Sequence, residues 1–296
     1  HAKVINKVLN KKTINVDMVG FHGQTIYHNS QEKITKQLGD GMLLSQLIKK
    51  KVIFDFRQND INSGGQGAPL TPIFHRILVN NIKLSLPIYL LNIGGISNLT
   101  IIKGDNNFDI LSKDIGPGNF MIDDWVRKNK KGNYDKDGNL AKKGFIKHHL
   151  QEQFLENVFN SSYIDKNQSY DIKDFDISCF RGLSVEDGAA TLTDLTAKII
   201  SDQINNIKLK NYEKHKINLL ICGGGRKNKF LLQRIKKYIK TINIIPIDKH
   251  GVNGDYIESQ AFAYLSIRSF LKLPLSYPNT TGCKKPLTGG ILVNNY

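Results

Sequence analysis

Apolar and polar positions alternate between two periods along this chain. Residues 2–9 carry apolar side chains at helical spacing, 17–21 form a short apolar run of strand type, and 41–49 return to helical spacing before a second short strand at 52–56. A polar, glycine-rich loop covers 57–67, and Pro69 suits the first turn of the next helix. The β-branched runs at 88–93 and 108–111 predict a strand pair, followed by a helix at 121–127, a charged and turn-rich stretch at 128–139 and a long helix at 142–159. Residues 160–181 are polar and irregular and read as a flexible excursion. Ser184 and Asp187 open a strong helix through 204, the strand 217–222 runs into three glycines, and a helix from 228 precedes the strand 242–247. Residues 255–271 form a helix and the tail from 274 is turn-rich. Strands alternating with helices predict an α/β fold.

Composition narrows the class. The 296 residues fit two modest domains or one large one, with ample chain to bury a core. A net charge of +16 invites a nucleic-acid or membrane-surface reading, but the densest basic stretches, 127–131 and 227–240, lack regularly interleaved aromatics for base stacking. Lysine also travels with Asn and Ile, as at 205–211, so the charge reads as a solvated surface, with no nucleic-acid and no membrane partner expected. Cys179, Cys222 and Cys283 are far apart and suggest neither a zinc site nor a disulfide framework, which points to a reducing cytoplasmic location. No apolar run approaches the roughly 20 residues of a membrane span.

Two glycine-rich strings carry the chemistry: 92–98, with Gly94, Gly95 and Asn98, and 114–119, with Asp114 and Gly118. Read as flanking one hairpin, they place bare backbone where its N–H groups can meet a phosphate beside a carboxylate. Either string alone reads equally as tight turns. Gly223, Gly224 and Gly225, followed by Asn228 at a helix start, would let a phosphate-bearing ligand lie against the backbone, yet the spacing is neither the dinucleotide fingerprint nor a P-loop. Residues 135–139 resemble the start of a calcium loop in the wrong register, and no metal ligands are expected. His22, His28 and His75 fit base, ligand or packing roles. Asp114 fits a cleft carboxylate or a turn residue, and Glu258 a catalytic acid or a helix-start acid.

Taken in order, 20–25, 55–60, 64–70, 92–98, 114–119 with Asp123 and Trp125, 223–225 with Asn228, and Glu258 with 261–263 closely resemble the anhydro-N-acetylmuramic acid kinase family. The resemblance implies a two-domain actin/hexokinase-like (ribonuclease H-like) kinase fold with ATP and Mg2+ as cofactors and a small amino sugar as substrate; a homodimer is compatible with it. It implies Asp114 as the base that activates water and Glu258 as a helper. Gly94, Gly95, Asn98, Gly118, Gly223, Gly224, Gly225 and Asn228 would bind the nucleotide, and His22, Gln24, Thr25, Arg57 and Asp60 the sugar. The expected divisions are 1–84, a remnant of the first domain, 85–271, the nucleotide-binding domain, and a tail at 272–296.

The pattern departs from the family at three places. The family's opening strand and Ser/Thr- and Gly-rich phosphate loop are not found before Gly20, so a truncated first domain is expected. Where the family usually has a Lys-Ser…Arg…Phe string this chain has Gln168, Ser169, Ile172 and Phe175, so the basic partners are gone, and Phe21 stands in place of a serine. Two readings remain open beside a different phosphotransferase of the same fold: a working kinase, and a non-catalytic remnant that binds nucleotide or sugar.

Overall fold

The computed structural model describes residues 1–11, 15–159, 174–207 and 217–296. Gln168, Ser169 and Ile172, residues 160–173 of the expected excursion and residues 208–211 of the Asn- and Lys-rich stretch lie outside the described residues. In chain order come α1 (Ala2–Leu9), β1 (Met18–Gly20), β2 (Gln24–Asn29), β3 (Ile34–Leu38), α2 (Gly41–Ile48), β4 (Lys51–Phe54), α3 (Gln58–Asn62) and α4 (Pro72–Asn80). Next follow β5 (Ile88–Ile93), β6 (Ile96–Ile102), β7 (Ile110–Pro117), α5 (Phe120–Lys128), α6 (His148–Phe159) and α7 (Val185–Asn205). The chain ends with β8 (Asn218–Cys222), α8 (Lys229–Tyr238), β9 (Asn243–Pro246), α9 (Ile257–Phe270), α10 (Pro278–Thr281) and β10 (Ile291–Val293).

Internal contacts divide the chain into two units: His1–Asn81, Asp105–Ser112 and Glu258–Tyr296 form the first, Ile82–Gly104 and Lys113–Ile257 the second. The expected boundaries at 84 and 271 differ from these. Phe262, Leu265, Leu275 and Tyr277 are buried with Ile53, Phe56, Leu70, Ile73 and Ile110, so α9, the residues after it and the start of β7 join the first unit.

In the first unit β4 is the central strand of a three-stranded sheet, parallel to β1 with Val19 opposite Val52, and antiparallel to β10 with Leu292 opposite Ile53. Val52 and Ile53 are fully buried, as the apolar run demands of a central strand. Asp40 caps α2 by accepting from the amides of Met42 and Leu43, and this sets Leu44 and Ile48 against Phe21 and Val52. Strands β2 and β3 form a separate two-stranded ribbon.

The second unit is built on a five-stranded sheet of order β7-β6-β5-β8-β9, in which β5 and β6 are antiparallel and β5, β8 and β9 parallel. This is the strand order of a ribonuclease H-like layer, and the chain has the α/β fold that the pattern implies. Helix α7 is capped by Ser184, which accepts from the Asp187 amide. A Cβ at its Gly188 would collide with the Trp125 indole, so glycine there lets α5 pack tightly on α7.

Several local expectations are corrected. Pro69 follows a cis peptide bond, and Pro72 instead occupies the first turn of α4. The polar loop 57–67 contains α3. The long helix begins only at His148; Gly144 ahead of it is extended, with φ −95° and ψ 168°, which interrupts the helical run. The described part of the supposed excursion is packed: Phe175, Ile177 and Phe180 are buried in the core with Trp125 and Phe154.

Candidate active site

In the first unit the parallel strands β1 and β4 end side by side, and the residues just beyond them face one cavity, as expected where ligands meet the carboxyl ends of parallel strands. Phe21 continues the ladder by donating its amide to the Ile53 carbonyl at 2.8 Å, which fixes the exit direction of His22. The cavity has a volume of about 570 Å³ and is lined by His22, Gln24, Thr25, Arg57, Glu258, Ser259 and Phe262, with Gly20 and Gly23. Four of the five residues expected at the sugar thus come together here, joined by Glu258 from the exposed first turn of α9.

Arg57 Nε donates to His22 Nε2 at 3.0 Å, so the imidazole proton sits on Nδ1 and donates to the Gly23 carbonyl at 3.0 Å. Burial and the neighbouring Arg57 charge lower the His22 pKa to about 4, which leaves a neutral acceptor at pH 7. Its ring centroid lies 4.3 Å from that of Phe262. His22 therefore orients Arg57, and Arg57 Nη1 is held by the Gly67 carbonyl at 2.7 Å. Two further histidines serve the frame: His28 bridges the Gln66 carbonyl and Thr35, and His75 is buried with its pKa lowered by burial to about 3.

Asp60, expected at the sugar, does not line the cavity. Its side chain is buried, one carboxylate oxygen accepting from the Gly67 amide at 2.7 Å and the other from the Ser276 and Thr281 hydroxyls. These three donors hold the Asp60 carboxylate, and the Gly67 amide among them ties it to the 64–67 loop and to the carbonyl that seats Arg57.

In the second unit the glycine strings meet differently from expectation. Gly94 and Gly95 are the turn of the β5–β6 hairpin itself, and the second string is the end of β7. Gly118 donates to the Gly95 carbonyl and Asn119 to the Gly94 carbonyl, both at 2.8 Å, while the Asn119 side-chain amide donates to the carbonyls of Ile93 and Gly94 at 3.1 Å. Asn119 is the hub that binds the two strings, and its place between Gly118 and a helix start was the available signal. Asp114 lies inside β7, partly buried.

The glycines divide into two kinds. A Cβ at Gly118 would strike the Gly94 carbonyl, one at Gly225 the Ile93 side chain, and Gly223 has φ +76° against Asn92 and Ile93, so packing alone requires glycine at these three positions. At Gly95 and Gly224 the nearest protein atoms to an added Cβ are 3.9 and 3.8 Å away, and at Gly94 3.4 Å, none with a positive φ. Packing does not require those glycines, and the space beside them is open to a ligand. The Oδ1 of Asn98, which pairs with Asn92 across the hairpin, is buried without a hydrogen-bond partner.

Beside Gly224 lies a second cavity of about 250 Å³, lined by Asn119, Asp123, Asp135, Lys227 and Asn228 among others. Asn228 spends its Oδ1 as the cap of α8, accepting from Leu231. Burial raises the Asp123 pKa to about 6, helped by the Asp135 charge and opposed by Arg127.

The family model for anhydro-N-acetylmuramic acid kinase matches residues 1–295, and the chain belongs to that family of sugar kinases. An anhydro-N-acetylmuramic acid kinase of Pelagibacter ubique (strain HTCC1062) is 50% identical over 297 residues, covering 100% of this chain and 79% of that protein. The Zymomonas mobilis subsp. mobilis (strain ATCC 31821 / ZM4 / CP4) protein of the same name is 39% identical over 98% of this chain and 77% of its own. Among solved structures, component A of Acidaminococcus fermentans (R)-2-hydroxyglutaryl-CoA dehydratase gives a TM-score of 0.40 at 12% identity, over 73% of this chain and 81% of that one. No described helix is long and apolar enough to cross a membrane.

Proposed function

We propose that the chain is an ATP-dependent kinase that opens the 1,6-anhydro bond of 1,6-anhydro-N-acetylmuramic acid with water and phosphorylates O6, giving N-acetylmuramic acid 6-phosphate and ADP in the cytoplasm. The observation that carries this reading is the polar cavity of the first unit, where an oriented Arg57 stands with Glu258, Gln24 and Thr25 around a volume of about 570 Å³. Family membership supplies the substrate class.

In this reading Arg57 offers a fork of donors to the sugar's lactyl carboxylate, and Gln24 and Thr25 meet its hydroxyls. Asp114 takes a proton from water as its oxygen bonds to C1 and the C1–O6 bond breaks. The released O6 then bonds to the γ-phosphorus as the bridging P–O bond of ATP breaks. Glu258 holds the water by accepting its second hydrogen. The open backbone at Gly94 and Gly95, fixed by Gly118 and Asn119, cradles phosphate oxygens, and Gly224 and Asn228 border a cavity suited to the nucleoside.

Among the described residues there is no group of three or more His, Cys, Asp or Glu that could cage a metal. Mg2+ would be carried on the phosphates with mostly water ligands, and the unpartnered Asn98 Oδ1 would be its protein oxygen. When bound, Mg2+ neutralises charge on the transferring phosphoryl group. The test is ADP release coupled to a chromogenic reaction, with 1,6-anhydro-N-acetylmuramic acid as acceptor and product mass as control. Sugar-dependent turnover yielding the 6-phosphate is expected; nucleotide binding without turnover would replace this reading with a binding protein.

A further inference from the structure

The Gly223–Gly225 turn is followed by an arginine whose side chain is only 4% exposed. Arg226 Nε and Nη2 pair with the two carboxylate oxygens of Asp248 at 2.7 and 3.0 Å, and Nη1 reaches Asp255 at 2.7 Å and the Gly223 carbonyl at 3.0 Å. Lys227 holds the other Asp255 oxygen at 2.6 Å, and the pair keeps that carboxyl at about 2. Gly254 packs on the guanidinium so closely that any side chain there would collide with it. A planar fork with four partners of fixed direction is a rigid joint, which a lysine could not reproduce.

The two things joined are informative. One is the glycine turn. The other is the segment 248–255 that leads into α9, two residues before Ile257 ends the second unit and Glu258 begins the first. We propose that Arg226 is a positioning residue that couples nucleotide at the Gly223 turn to the direction in which the chain enters α9 and presents Glu258. The proposal rests on the reading of that turn as part of the nucleotide site. A ligand that orders the Gly223 carbonyl orders Arg226, and through Asp248 and Asp255 the start of α9.

Hydrogen exchange of the full chain with and without Mg2+ATP tests this. In the wild type, nucleotide is expected to slow exchange at both 223–228 and 248–258. In Arg226→Gln the first segment stays protected, while added protection at the second falls about ten-fold or more, and kcat falls with the sugar KM held. Asp255→Asn, which keeps the Asp248 pair, reads the same loss in part and serves if Arg226→Gln does not fold. Undiminished protection of 248–258 in the variants, or protection of 223–228 alone in the wild type, overturns the proposal. A wild type with neither segment protected overturns the nucleotide reading beneath it, and the proposal with it.

Discussion

The cavity of the first unit and the glycine turns of the second present opposite kinds of surface. The first is lined by side chains held in place by other side chains: Asp60 fixes Gly67, Gly67 seats Arg57, and His22 orients it. The second is main chain, and what matters there is the absence of side chains at Gly94, Gly95 and Gly224. A side-chain site fails by loss of a donor, whereas a backbone site fails by gain of an atom. Substitutions should therefore separate the two, and Asp114, the base proposed above, should outweigh both.

The largest effect is expected at Asp114. Asp114→Asn keeps the shape and removes the proposed base, which should lower kcat about a thousand-fold with both KM values little changed. A loss under ten-fold in steady-state assays would exclude Asp114 as the base. Next come the open glycines. Gly224→Val or Gly95→Val should leave the melting temperature nearly unchanged but cost about 2 kcal/mol of nucleotide affinity, roughly thirty-fold by calorimetry. Gly225→Val, which must displace Ile93, should lower the melting temperature instead. If both kinds of substitution act alike, the distinction between open and required glycines is void.

Arg57→Lys is expected to be milder. The ammonium keeps the charge but cannot donate at once to His22 and Gly67 and still face the cavity, so the sugar KM should rise about ten-fold while nucleotide affinity holds. An equal loss for both ligands would mean that the arginine braces the fold and does not read the sugar.

How much of this was legible in the sequence depended on whether the signal was local. Ser184 and Asn228 announced α7 and α8 because a cap acts within three residues. The central strands showed as apolar runs. Asp60 was expected at the sugar from the family resemblance of the 55–60 string; that Ser276 and Thr281 occupy its carboxylate is a contact across more than 200 residues. The β2–β3 ribbon was missed because its exposed Ile26, Tyr27, Ile34 and Leu38 blur the alternation of a half-buried strand. Ser259 was missed although Glu258 and Phe262 flank it on the same turn of α9, since helical spacing shows a face but not what the face meets.

The smallest expected effect is electrostatic and opposite in sign in the two units. His22 and His75 are lowered to about 4 and about 3 from 6.5, so as pH falls through 6.5 the unfolded segment takes up protons that the native one refuses. Their contribution is complete above that value and is lost as pH falls toward the native pKa; from pH 7 to 6 each should raise opening of the first unit about three-fold. Asp123 is raised to about 6 from 3.8, so its native carboxyl takes up the proton first, and the same change should suppress opening around α5 about two-fold. Hydrogen exchange corrected for intrinsic rates, read at α4 and at α5, checks both. Acid should loosen the first and tighten the second, and a shift of the same sign in both would show that the two surfaces do not titrate as independent bodies.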